Sequence, residues 1–402
     1  MRRGAWHQCG DRSQRLVREQ LEHERGVGVI LSPRDLSFES ARTYASEYSS
    51  HAVDILIDLQ FCNPVFSNDR LSSYPTSEFR ASVSQISEIS DRDADAFSSA
   101  LQTVQETLGT TAVIAPAVKY EASRPDIIDL NARLFSAARR VGDALGIPTY
   151  ASVILGNSVT SSAAIMNSIL SSATAVEADG WYYAFEFGLQ ERIPSAREWV
   201  YRCCAGGLKL ACTGKPVLHA YAGPMGVLSL GVGVQGVGIG HWQNLWQFSR
   251  GRWEPSDETG GGGGDAPPRM FSEHLWGTIV YPDEFILLSG ALRSHVFIES
   301  PFSPQSATAV DPSWTRWLAN KHLIYVLASA ISRIAATSDA RGCARGAIAM
   351  LEHAAVLHQQ IAADGHQLTD QTNTYQQIWR EVMEEILAGH DDDYEFLDLI
   401  GS

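Results

Sequence analysis

No run of about 18 apolar residues occurs in this 402-residue chain, which removes a membrane-spanning helix from consideration. The six cysteines (Cys9, Cys62, Cys203, Cys204, Cys212 and Cys343) are scattered and contain no Cys-x-x-Cys pair, so they read as reduced thiols. The start, Met1-Arg2-Arg3-Gly4-Ala5-Trp6-His7, leads into a charged segment and offers no apolar export signal, so a cytoplasmic protein is expected. His-x-His and His-Glu-x-x-His spacings are missing, and neither a metal nor another cofactor is expected. Positive charge is in deficit. A net charge of −15 gives no general attraction to nucleic acid or to anionic lipid. The four arginines between residues 12 and 25 read as one solvated helix of mixed charge.

What is present is an ordinary globular composition, 45% hydrophobic and 19% charged, in a chain long enough for a barrel of about 250 residues plus an appendage. Short β-branched or aromatic runs alternate with longer helical periodicities. Strands are expected at 27–31, 53–59, 111–115, 149–155, 181–187, 217–221 and 234–239, with helices between them. Such alternation implies parallel strands joined by right-handed crossovers, and seven units favour a closed (β/α)8 TIM-like barrel over an open sheet. The eighth strand is placed at 278–281. Residues 1–26 are read as a helical extension, 27–290 as the barrel, and 291–402 as a helical C-terminal region. Two irregular stretches stand out. Residues 63–91 are rich in Ser, Asn and Pro, and a flexible insertion near 255–268 contains five consecutive glycines.

Parallel barrels carry their sites at the C-terminal ends of the strands. The polar residues expected there are Asp35, Asp58, Gln60, Lys119, Asn157, Glu186, His219, Tyr221 and His241. Asp58 and Glu186 end strands otherwise fit for burial, and two carboxylates across one mouth can divide acid, base and nucleophile work. His219 and His241 would orient substrate, with Gln60, Asn157, Tyr221 and Gln235 as further contacts. Trp242, at the head of an aromatic run, would stack on a planar ring. Lys119, if desolvated, is a Schiff-base candidate.

The stretch Lys215-Pro216-Val217-Leu218-His219-Ala220-Tyr221-Ala222-Gly223-Pro224, continuing through Gly231, Gly233-Val234-Gln235 and Arg250-Gly251, resembles part of the tRNA-guanine transglycosylase family. The resemblance covers roughly 40 of the 402 residues. It implies a (β/α)8 barrel and a nucleobase-like ligand. That family's aspartate nucleophile would fall near Gly238 to Gly240, where this chain has no carboxylate, and its zinc-binding cysteine motif is also missing. The expectation is therefore a barrel enzyme, transglycosylase-like or glycosyl-hydrolysing, that acts on a base- or nucleoside-like small molecule through Asp58 and Glu186. The alternative is a non-catalytic barrel that serves as a binding or scaffold subunit, meeting a second copy or a protein partner through its C-terminal helices.

Overall fold

A computed structural model describes residues 1–85, 90–187, 193–241, 245–253, 267–369 and 375–401. Eight parallel strands form one sheet: β1 (Gly4–Gln8), β2 (Gly28–Leu31), β3 (Asp54–Ile57), β4 (Val113–Ile114), β5 (Thr149–Leu155), β6 (Gly180–Phe185), β7 (Val217–His219) and β8 (Gly236–Ile239). Their order is β3-β2-β1-β8-β7-β6-β5-β4. The two edges, β3 and β4, are tied by a backbone bond from Thr111 N–H to the Ile55 carbonyl at 2.9 Å. With that bond the sheet becomes a nearly closed barrel with helices on its outer face.

The eighth barrel strand is the first in the chain, not 278–281. Gly4-Ala5-Trp6-His7-Gln8 alternates by period two, with Trp6 in the barrel interior and Ala5 in the outer core. Trp6 is in register with Gly28 on one side and Gly238 on the other. A Cβ at Gly28 would lie 2.4 Å from the indole, and one at Gly236 would lie 2.8 Å from its Nε1, so glycines on both neighbouring strands make room for this ring. Three apolar positions in five gave little strand signal beside the charged segment that follows. Only the segment from Gln14 to Glu22 is helical there. Residues 278–281 belong instead to an antiparallel hairpin outside the barrel, β9 (Arg269–Ser272) with β10 (Gly277–Val280). In that place the β-branched run serves a separate apolar cluster with Phe285, Trp314 and Leu357.

Residues 63–85 are more ordered than their composition suggests. Two short helices, Asp69–Ser72 and Ser77–Gln85, lie in this stretch. Buried Arg80 explains part of that order: its guanidinium donates to the carbonyls of Leu59, Gln60, Asn63 and Phe66 at 2.5 to 3.1 Å. The run of five glycines lies outside the described residues.

Helices Arg316–Ala335, Ala340–Ala363, Tyr375–Gly389 and Asp391–Gly401 form the C-terminal region. They are anchored to the barrel by specific bonds. Trp379 Nε1 donates to the Pro194 carbonyl, Tyr394 to that of Gly231, and Arg3 to that of Thr337. The acidic run Asp391-Asp392-Asp393 is not a loose tail, because it opens the last helix, where negative charge suits the helix dipole. Among the described residues no helix is long and apolar enough to cross a membrane.

Candidate functional site

Beyond the ends of β2, β3 and β7, and against Tyr182 within β6, a hydrogen-bond network closes around Asp58. Strand parity points Asp58 inward, since Leu56, two residues earlier, belongs to the interior cluster. Its Oδ1 accepts from the Gln60 backbone N–H at 2.8 Å, which makes an Asx turn. Its Oδ2 accepts from the Tyr182 hydroxyl at 2.9 Å and the Tyr221 hydroxyl at 3.4 Å. Burial, and then the neighbouring Asp58, push the Tyr182 pKa well above its ordinary value, so this hydroxyl remains a donor.

Gln60 is the hub. Its Oε1 accepts from the Arg34 N–H at 3.0 Å, which fixes the orientation of the amide. Its Nε2 then donates to Ser32 Oγ at 2.8 Å and to the Tyr221 hydroxyl at 3.3 Å. Each hydroxyl in turn donates a hydrogen bond to a carboxylate: Ser32 to Asp35 at 2.8 Å, Tyr221 to Asp58. Gln60 and Tyr221 both adopt left-handed backbone conformations, with φ of 58° and 57°. A non-glycine residue in that region costs about 1 kcal/mol or more, and such residues gather at functional sites.

A second group surrounds Glu186. Its Oε1 accepts from Lys119 Nζ at 2.5 Å and its Oε2 from the Asn157 backbone N–H at 3.0 Å. Lys119 also pairs with Glu121 at 2.8 Å. Burial acts to lower the Lys119 pKa, but the two carboxylates outweigh it and the net shift is upward. An amine held charged in this way is a poor nucleophile, so the geometry argues against Schiff-base chemistry. Cys62 lies between the two groups: burial first, and then the Asp58 charge, push its thiol up to about 12, and its carbonyl accepts from the Lys119 backbone N–H at 3.4 Å.

Aromatic and apolar side chains cover this polar floor. Leu245, Phe248 and Trp253 belong to the barrel-interior cluster. Phe248 packs against Tyr221 and Trp253, and Phe66 meets Trp253 edge-on. The Arg34 guanidinium lies 5.5 Å from the Phe66 ring and 5.9 Å from the Trp253 ring. Asp58 and Glu186 are consequently only 6% and 5% exposed.

Other expected contacts lie elsewhere. His219 faces outward, one position out of phase with inward Leu218 and Ala220. It stacks on Tyr183 at 4.4 Å and hydrogen-bonds Ser229 at 2.7 Å, and burial lowers its pKa to about 3. This is a core histidine. Gln235 sits at the opposite end of the barrel, where its Oε1 accepts from the Val217 N–H and its carbonyl from the Gly4 N–H. There it joins three strand starts. Asn157 contributes its backbone to Glu186 while its side chain is exposed. His241 is buried, with Asp11 and His7 as its titratable neighbours, and its pKa falls to about 3 through burial. Trp242 lies outside the described residues.

Sequence reasoning missed Tyr182, Ser32 and Arg80. Tyr182 had a legible signal, because it precedes Glu186 by an even number of residues on one strand. The arginine gave none, since its hydrogen-bond partners among the described residues are backbone carbonyls. Among the described residues no group of three or more His, Cys, Asp or Glu side chains is arranged to hold a metal ion.

Fold and site together define a parallel β/α barrel with a carboxylate–tyrosine network at its C-terminal end. No family model matches the chain, and no curated protein does. Among solved structures, the chain is similar to the 4-hydroxy-tetrahydrodipicolinate synthase from the thermoacidophilic methanotroph Methylacidiphilum fumariolicum SolV. The likeness covers 98% of this chain and 99% of that one, at 10% identity and a TM-score of 0.35.

Proposed function

We propose that the chain is a barrel enzyme whose reaction site is the Asp58 network, and that it acts on a small planar, nucleobase-like ligand at a glycosidic bond. The observation that carries this reading is the pair of left-handed residues, Gln60 and Tyr221, both bonded to one buried carboxylate at strand C-termini. Of the six such non-glycine residues among the described ones, these two meet at one buried carboxylate. In this reading Asp58 is the nucleophile or the stabiliser of positive charge at the sugar carbon. Tyr182 and Tyr221 orient it. The Lys119–Glu186 pair supplies a fixed charge couple on the other side of the mouth, and Phe248 and Trp253 offer faces on which a base can stack.

Incubation with a panel of purine and pyrimidine nucleosides, followed by chromatography of the freed base, tests it. Release by the native protein is expected, with a loss of at least about a hundredfold in Asp58→Asn, assayed well below its melting midpoint. A second reading, a non-catalytic binding or scaffold barrel, is favoured by the aromatic cover over the mouth. Absence of base release, together with no change in melting midpoint on adding free bases, would give that reading the lead.

A further inference from the structure

Gln8, the last residue of β1, is 1% exposed, and neither its Oε1 nor its Nε2 has a hydrogen-bond partner among the described residues. Gln8 lies one residue beyond outward-facing His7 and so points into the barrel. There it sits on β8, whose inward positions are all glycine. Trp6 occupies the place beside Gly236, Leu245 that beside Gly240, and the Gln8 carboxamide that beside Gly238. A Cβ at Gly238 would lie 3.1 Å from Gln8 Oε1 and 3.0 Å from the Tyr221 backbone nitrogen. Across Gly238 the unpaired amide therefore packs close to the backbone of Tyr221, whose hydroxyl donates to Asp58.

A buried amide with both ends unpaired is among the most expensive polar arrangements a core can hold, and an apolar residue of the same size would relieve it. A carboxamide offers an adjacent donor and acceptor in one plane, the complement of a cyclic amide edge with N–H beside C=O. We infer that Gln8 is the specificity-determining residue of the site, left without a protein partner so that it can form two hydrogen bonds with a lactam or imide edge of the ligand. The inference rests on the base-ligand reading above.

The test uses hypoxanthine and purine, which share one bicyclic ring and differ in the lactam, with binding measured by calorimetry and by melting midpoint. The native protein is expected to bind hypoxanthine at least about tenfold more tightly than purine. Gln8→Met and Gln8→Leu are expected to abolish that preference and, without ligand, to melt a few degrees higher than the native protein. Equal binding of the two rings by the native protein, or a preference that survives in Gln8→Met, overturns the assignment of Gln8 while leaving the base-ligand reading in place. A lower ligand-free midpoint in both variants also overturns it, since it marks an amide already satisfied in the folded protein, as by an ordered water. Binding of neither ring overturns the base-ligand reading, and the role of Gln8 falls with it.

Discussion

Asp58 and His219 were both singled out by type and position, and one bond of strand parity separates their fates. Asp58 faces the interior and accepts hydrogen bonds from the Gln60 N–H and the Tyr182 and Tyr221 hydroxyls, so replacing it is not neutral to the fold. Asp58→Asn turns one oxygen into an NH2 group opposed to donors and is expected to cost about 1–3 kcal/mol in urea unfolding. His219→Ala removes a ring stacked on Tyr183 in the outer core. It is expected to cost about 2–4 kcal/mol while leaving ligand binding unchanged. If binding were lost with stability intact, the outward placement of His219 would be wrong. Four histidines also set the response to acid. Burial lowers His7 and His322 to about 4, and His219 and His241 to about 3, from 6.5. Below pH 6.5 the unfolded chain takes up protons that the folded chain refuses. Their contribution to stability is therefore complete above that pH and is lost as the pH falls toward the folded values. Each costs about 1.4 kcal/mol per pH unit in this window. Denaturant unfolding of His322→Gln between pH 6.5 and 5 should show a slope shallower by about that amount than the native protein.

At the scale of elements, the interlock of Trp6 with glycines on β2 and β8 makes β1 a structural necessity. Gly28→Ala drives a Cβ into the indole and is expected to cost about 1–3 kcal/mol or more by thermal unfolding. Arg80→Met strips four carbonyls of their shared donor and is expected to cost at least about 3 kcal/mol, with faster hydrogen exchange over residues 59–66. Seven of the eight barrel strands were legible in the sequence because each is a short apolar run, and several precede or follow a helix with a clear stop signal, such as Gly109 or Gly146 in the left-handed conformation. β1 was not, because its fit depends on glycines far along the chain. The site was legible in part for a related reason. Asp58, Gln60 and Tyr221 announce themselves as polar residues at strand ends, whereas Gln8 acquires meaning only once β8 lies beside it. Gln235 was singled out within the stretch that carries the family resemblance, and it lies at the start of β8, at the other end of the barrel from Asp58.

For the whole molecule, the bonds from Arg3, Trp379 and Tyr394 tie the C-terminal helices into the barrel. Calorimetry of the full chain is expected to give one cooperative transition. A chain ending at Asp311 should fail to reach a soluble folded state, because it exposes the outer core that those helices cover. Two well-separated transitions in the full chain would instead make the C-terminal region an independent unit.

The joint between β1 and β8 also fixes when the barrel can first exist. Gly4 pairs with Gly236, so the chain's earliest strand waits for about 230 further residues before its second neighbour is made. At ordinary rates of synthesis, about 5–20 residues per second, that wait lasts on the order of ten to fifty seconds. Throughout it Trp6 and one edge of β1 lack their final cover. A nascent chain of this protein is therefore a natural client for factors that shield apolar surface at the ribosome.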